Sequence, residues 1–143
     1  MIHLQLVTLS GTKFDDDVYE VTLPTLDGEI GVLGDHMPLV SVAKPGVVAI
    51  RRNAQDPDRM LEYFAINGGA IEVASNVLRV LVDDADHADD INEAEAEAAI
   101  ERAKQMKAEA KDQVSLEHAQ SMVDRHTVRL QVAGLKRRHQ NRR

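Results

Sequence analysis

Asp83-Asp84-Ala85-Asp86-His87-Ala88-Asp89-Asp90 divides the chain into two parts that read with different periods. Upstream, apolar residues recur at every second position, in Leu78/Val80/Val82, Leu61/Tyr63/Ala65, Tyr19/Val21/Leu23 and Ile2/Leu4/Leu6. A period of two is that of strands with one buried face. Turn signals separate these runs: Ser10-Gly11, Asp27-Gly28, Gly34-Asp35, Pro45-Gly46, the stretch from Asn53 to Asp58, and Ser75-Asn76. A lone sheet would leave one apolar face wet, so about eight to ten short strands predict an antiparallel β-sandwich over residues 1–83. The longest loop, between Arg52 and Arg59, reads as an exposed hairpin tip.

The segment 84–90 reads as an acidic linker between domains. Its aspartates repel one another and offer little to bury, which predicts a solvated hinge. Downstream the composition turns to Ala, Glu, Lys and Met, strong helix formers, with no Gly or Pro from Ile91 to Asp112. Asp90 and Glu93 have capping-box spacing, which predicts a helix over 91–112. A second helix is expected from Ser115 as N-cap to Ala133, with Gly134 as its left-handed stop. The two form an antiparallel hairpin over residues 91–135, followed by a basic tail, 136–143. The expected seam pairs Ile100, Ala103, Met106 and Ala110 with Leu116, Ala119, Val123 and Leu130. At about 25 cal/mol per Å2, so many small side chains stabilise the pair by only a few kcal/mol before ordering entropy is subtracted. Such a hairpin is marginal, and two straightened helices of about 20 residues would reach on the order of 60 Å.

The chain has 143 residues, 17 Lys+Arg and 24 Asp+Glu, for a formal charge of −7. Acids dominate residues 1–90, whereas Lys136, Arg137, Arg138, Arg142 and Arg143 make the end locally positive and suited to an anionic partner. The absence of cysteine excludes disulfides, thiolate nucleophiles and cysteine-ligated zinc. No apolar run is long enough to span a bilayer and the start lacks a signal-peptide pattern, so a soluble chain that keeps its N-terminus is expected. Gly28-Glu29-Ile30-Gly31-Val32-Leu33-Gly34 is spaced GxxGxxG, lacks a following Lys-Ser/Thr, and leads into Pro38 and strand residues; it reads as turns of a compact sheet, not a phosphate loop. Glu29 and His36 are the polar side chains there expected to project. The glycines of Asn67-Gly68-Gly69-Ala70 read as a bulge or a close backbone passage. The six histidines show no HExxH or HxH spacing, and no GxSxG elbow is present, so neither an enzyme nor a metal site is expected. Aromatics make up 3% of the chain, which leaves no stacking platform for nucleic acid.

Three stretches carry a family resemblance: Thr25 to Val40, with its Gly28-Glu29-Ile30-Gly31 and His36-Met37-Pro38-Leu39; Lys44-Pro45-Gly46-Val47-Val48; and Phe64 to Val73, with Asn67-Gly68-Gly69. Together with the order sandwich, acidic segment, two helices, they resemble the epsilon subunit of the bacterial F-type ATP synthase over the whole chain. Gly34-Asp35 stands where that family usually has Pro-Gly. The resemblance implies a non-catalytic rotor subunit of the central stalk, without a cofactor, in a proton-translocating synthase on the cytoplasmic side of the plasma membrane. Its implied partners are the gamma subunit, the polar loops of the c-ring, met by Glu29 and His36, and the alpha/beta catalytic head, met by Lys136, Arg137 and Arg138. The family's helical tail moves between a folded hairpin and an extended form that blocks ATP hydrolysis. Some members bind ATP on the folded hairpin through an Ile/Leu-Asp-x-x-Arg-Ala motif. Here the matching stretch is Ile91-Asn92-Glu93-Ala94-Glu95-Ala96, with a carboxylate where a cation should meet phosphate. Arg102, Arg125 and Arg129 remain as candidate nucleotide contacts for the alternative reading, an ATP-sensing module.

Overall fold

The computed structural model describes residues 1–140; Arg142 and Arg143 of the expected basic tail lie outside the described residues. Eight strands are formed: β1 (Ile2–Thr8), β2 (Gly11–Val18), β3 (Glu20–Thr25), β4 (Gly28–Leu33), β5 (Leu39–Arg51), β6 (Glu62–Ala74), β7 (Val77–Val82) and β8 (Ala85–His87). They order as β2-β1-β7-β6-β5-β3-β4, with β8 on β6, and the sheet folds over itself into the expected sandwich. The alternation holds where it was clearest. Ile2, Leu4 and Leu6 of β1, Val21 and Leu23 of β3, and Leu78, Val80 and Val82 of β7 all enter one core. One pair departs from the antiparallel expectation: β1 and β7 run parallel, from His3↔Val77 to Val7↔Leu81. The edge strand β2 buries only Phe14 and Val18, and its Lys13 and Asp15 to Asp17 keep a free edge from pairing with another chain.

The long strands β5 and β6 bend together. At Gly69, with φ +151°, a Cβ would press into the Leu81 carbonyl and lie 2.9 Å from Val82 Cγ1, so backbone proximity demands glycine there, as the sequence suggested. The bend shifts β6 by one residue: Phe64 and Ile66 enter the core before it, Ile71 and Val73 after it. Upstream of the bend both faces of β6 are covered, because Tyr63 and Ala65 form a second apolar cluster with Val128 and Val132 of the last helix. Period-two reading had assigned this strand a single buried face.

The helices differ from expectation at their ends. Helix α1 spans Glu93–Glu109, and its cap is Asn92, whose side chain accepts the Glu95 N–H at 3.0 Å; the expected box from Asp90 is not used. Residues Ala88–Asp90 instead form a short 3-10 turn. Helix α2 spans Gln113–Gln140. It begins before Ser115, because Asp112 accepts the Ser115 N–H at 2.7 Å, a bond that also holds the Asp112 carboxyl below its ordinary range. Gly134 does not stop α2; it is buried inside the helix, which runs on to Gln140.

Ala96, Ala99 and Ala103 of α1 and Ala119 and Ala133 of α2 are buried, so the seam is lined by alanine as expected. Met106 is 42% exposed, however, and Ile100, Leu116, Val123 and Leu130 are only half-buried. The larger apolar side chains Val128 and Val132 serve the sandwich instead. The acidic segment is likewise no solvated hinge. Ala85–His87 pairs with β6 from Ile66↔Ala85 to Phe64↔His87, and Ala85 and Ala88 are buried.

Candidate functional site

Alternation along β8 explains what the acidic segment does. Ala85 enters the core, while Asp84 and Asp86, two residues apart, face α2. There Asp84 pairs with Arg125, and Asp86 Oδ2 stands 3.2 Å from Arg129 Nε. Further along, Asp89 pairs with Lys136, and Glu93 accepts from Arg137 at 2.6 Å. Four α2 cations are thus held by four acids of residues 84–93. The Arg129 Nε is closed off from solvent and lacks a well-aligned hydrogen bond, so Asp86 compensates it by charge alone.

Two of the three candidate nucleotide contacts, Arg125 and Arg129, are therefore already engaged by carboxylates of this chain. Arg102 sits on the exposed face of α1. All three lie close enough to His126 to push its imidazole below the ordinary value, after burial, the largest cause; Asp86 opposes them. The sequence missed His126, whose neighbourhood becomes visible only once α1 is folded back along α2.

Lys136, Arg137 and Arg138 fall on the last turns of α2. Lys136 and Arg137 are paired as described, and the exposed Arg138 reaches back to the Gly134 carbonyl, its Nε at 3.4 Å. The His139 ring stacks on Tyr63 at 5.8 Å between centroids, which ties the end of α2 to β6. The loop between β5 and β6 is an exposed hairpin tip over Asn53 to Gln55, as expected, and at its downstream flank Arg59 and Leu61 share a small cleft with Lys136 and His139.

Glu29 is exposed at the start of β4, opposite Pro24. His36 lies beyond the other end of that strand, and its Nδ1 donates to the Met37 carbonyl at 2.7 Å. No hydrogen bond or ion pair joins Glu29 to His36 among the described residues, and β4 separates them.

A surface the sequence did not single out lies on the outer face of the sheet. Val42, Ala70, Leu81 and Val7 stand in register across β5, β6, β7 and β1. Val40 at 82% and Met37 at 77% exposure extend this apolar band toward His36. It continues the face that α2 covers at Tyr63 and Ala65, but here none of the described residues covers it. At the opposite edge His3 bridges Asp17 through Nδ1 at 2.7 Å and Asp15 through Nε2 at 2.6 Å. Both nitrogens can donate only in the imidazolium, and the Asp17 and then the Asp15 hydrogen bond raise its pKa.

Among the described residues no three His, Asp or Glu side chains gather as a metal site, and no helix is long and apolar enough to cross a membrane. A sandwich with a two-helix arm docked on it, an apolar sheet face open on its outer side and a basic helix edge defines a class of assembly subunit that works through surfaces. Comparison with known proteins makes this specific. Residues 1–88 match the β-sandwich domain of the ATP synthase delta/epsilon chain, and residues 89–134 its long α-helix domain. The ATP synthase epsilon chain of Herpetosiphon aurantiacus is 35% identical over 139 residues, covering 97% of this chain and 98% of that one. That of Roseiflexus sp. is 41% identical over 98 residues, 68% and 67% of the two chains. A chain in the Euglena gracilis mitochondrial ATP synthase structure shares the fold at a TM-score of 0.76 and 20% identity, covering 94% of this chain and 81% of that one. The chain belongs to the ATP synthase epsilon-chain family, whose members are non-catalytic subunits of the F-type central stalk.

Proposed function

We propose that this chain is the rotor subunit that links a proton-driven c-ring to the catalytic head, and that its two helices restrain ATP hydrolysis when they leave the sandwich. The observation that carries this reading is the division of labour in the fold. The sandwich has a continuous core of its own, whereas α2 is held to it by one small apolar cluster and a row of ion pairs. An arm fixed in that way detaches without unfolding its platform. The uncovered band of Val40, Val42, Ala70, Leu81 and Val7 suits the gamma subunit, as contiguous apolar surface on a soluble domain marks an interface. Glu29 and His36, at opposite ends of β4, meet c-ring loops. Lys136, Arg137 and Arg138 meet acidic loops of the catalytic head once released from Asp89 and Glu93. The complex then lies on the cytoplasmic side of the plasma membrane, which this subunit touches only through its partners.

Removal of residues 91–143 should leave a sandwich that still co-elutes with gamma on gel filtration, and ATP hydrolysis by the assembled complex should rise. Unchanged hydrolysis would show that the arm is not inhibitory. The ATP-sensing alternative has one observation in its favour, the convergence of Arg102, Arg125 and Arg129 around His126. Nucleotide there must displace Asp84 and Asp86, and no heat on titration with millimolar MgATP retires that reading.

A further inference from the structure

The four ion pairs are geometrically ordered. Residues 84, 86, 89 and 93 meet residues 125, 129, 136 and 137 in the same sequence order, so the strip runs along the helix. At 100° per residue, Arg125, Arg129 and Lys136 project within about 40° of one another, a single stripe beside the Val128 and Val132 face. The strip is fixed from behind: β8 is hydrogen-bonded to β6, which presents Asp84 and Asp86 to α2 at a set height. The Arg129 side chain is the deepest member, 17% exposed, and among the described residues Asp86 is the charge partner of its Nε. Such a cation is costly to leave unpaired, so the stripe requires carboxylates wherever it settles in a protein environment.

We propose that residues 84–93 are a built-in acidic ligand for this basic stripe, and that the released stripe binds an acidic segment of a partner protein in exclusive competition with it. This rests on the reading of the helices as a movable regulatory arm and adds what governs the movement. The docked and partner-bound states use the same Arg125, Arg129 and Lys136, so no state satisfies both. Chain charge, rather than a bound nucleotide, closes the arm. Because the strip lies in the same chain and ends on the first residue of α1, its effective concentration is that of a tethered ligand, and a partner must outcompete it.

The test uses the full chain and poly-L-glutamate as the acidic probe. In the parent protein, raising NaCl from about 0.05 to 0.5 M shortens the Debye length to a few ångströms. Amide exchange across residues 125–137 should then accelerate while that of β1, β3 and β7 does not. The double variant Asp84→Asn/Asp86→Asn should show exchange in α2 roughly tenfold faster at low salt and bind poly-L-glutamate at least about tenfold more tightly. Adding Arg125→Gln/Arg129→Gln to that variant should abolish the gain in poly-L-glutamate binding. Equal α2 protection in parent and variant at both salt levels overturns the proposal, and so does faster exchange without tighter poly-L-glutamate binding. If both effects appear but hydrolysis by the assembled complex does not respond to the double variant, the latch stands and the regulatory reading of the arm falls.

Discussion

Replacing both Val128 and Val132 with alanine should detach α2 while leaving the sandwich intact. Val132 is fully buried and Val128 nearly so, against Tyr63, Ala65 and Ala88. Each substitution removes two buried carbons, about 1.6 kcal/mol at roughly 0.8 kcal/mol per group. The cavity contribution should be small, because a helix lying on a surface can settle into the space. The pair of changes therefore weakens docking by about 3 kcal/mol, on the order of a 200-fold shift toward the undocked arm, at 1.4 kcal/mol per factor of ten. Alanine is also the better helix former, by up to about 0.7 kcal/mol per site, so α2 should stay helical or gain helicity. Helicity and docking thus move in opposite directions, an outcome that general destabilisation does not produce. Circular dichroism reads the first, and hydrogen exchange across residues 125–137 the second, with the urea midpoint of the sandwich as control. The reasoning fails if α2 in the double variant exchanges as slowly as in the parent, or if the sandwich loses stability along with it.

Gly69→Ala should cost the sandwich about 3 kcal/mol or more, since the new Cβ meets the Leu81 backbone at a φ that side chains rarely adopt. Gly11→Ala, at φ +130° with nothing nearby, should cost only about 1–2 kcal/mol; equal urea shifts for the two would remove the backbone clash as the cause. Two histidines should give the molecule opposite responses to pH. The docked state holds His126 below its ordinary value, through burial and then Arg129, Arg125 and Arg102 against Asp86. The contribution of neutral His126 to docking is therefore fully present above about pH 6.5 and is lost as pH falls through the lower folded value, which loosens the arm. His3, raised by Asp17 and Asp15, stabilises the β1–β2 edge fully below about pH 6.5 and ceases to do so as pH rises through its higher folded value. NMR titration of the two rings, with a spin-label distance from sandwich to α2, checks both; an arm that stays in place from about pH 7.5 to 5.5 refutes the first.

The fold was legible where one local rule decided it. Ile2/Leu4/Leu6 and Leu78/Val80/Val82 need only a period of two and one core, and the run of Ala, Glu and Lys after Asn92 has no competing conformation. The errors arose where a distant partner decided. Five aspartates in residues 83–90 read as mutual repulsion because Arg125, Arg129 and Lys136 lie some forty residues further on, and only the return of α2 brings them alongside. Val128 and Val132 carried no label saying that they face a sheet, and Tyr63 and Ala65 none saying that their outward side is covered. Gly134, a stop by local rule, is carried within α2, whose last turns are held to the sandwich by Lys136 and His139. Glu29 and His36 were visible only through family resemblance: alone, each is an exposed polar residue in or near a turn. The apolar band through Val42, Ala70 and Leu81 could not be seen until strand register put three separate runs side by side.

The energetics of the arm follow from what α2 does not bury. Alanine lines its seam with α1, so the helices can stay paired or part at little cost. Val128 and Val132, with Leu135 beside them, and a ring stack hold it to the sandwich, and the ion pairs add to that hold. A partner that binds only the released arm has its apparent affinity reduced by the fraction of arm released, so every contact that strengthens docking weakens the partner by the same factor. The Val128→Ala/Val132→Ala variant, with its stripe of cations untouched, should therefore bind an acidic partner up to about 200-fold more tightly than the parent, the gain saturating once the arm is mostly free. Removing the cations instead leaves the arm loose and the partner unbound. The apolar contacts and the ion pairs together set how often the arm opens, and the cations set what it is able to hold when it does.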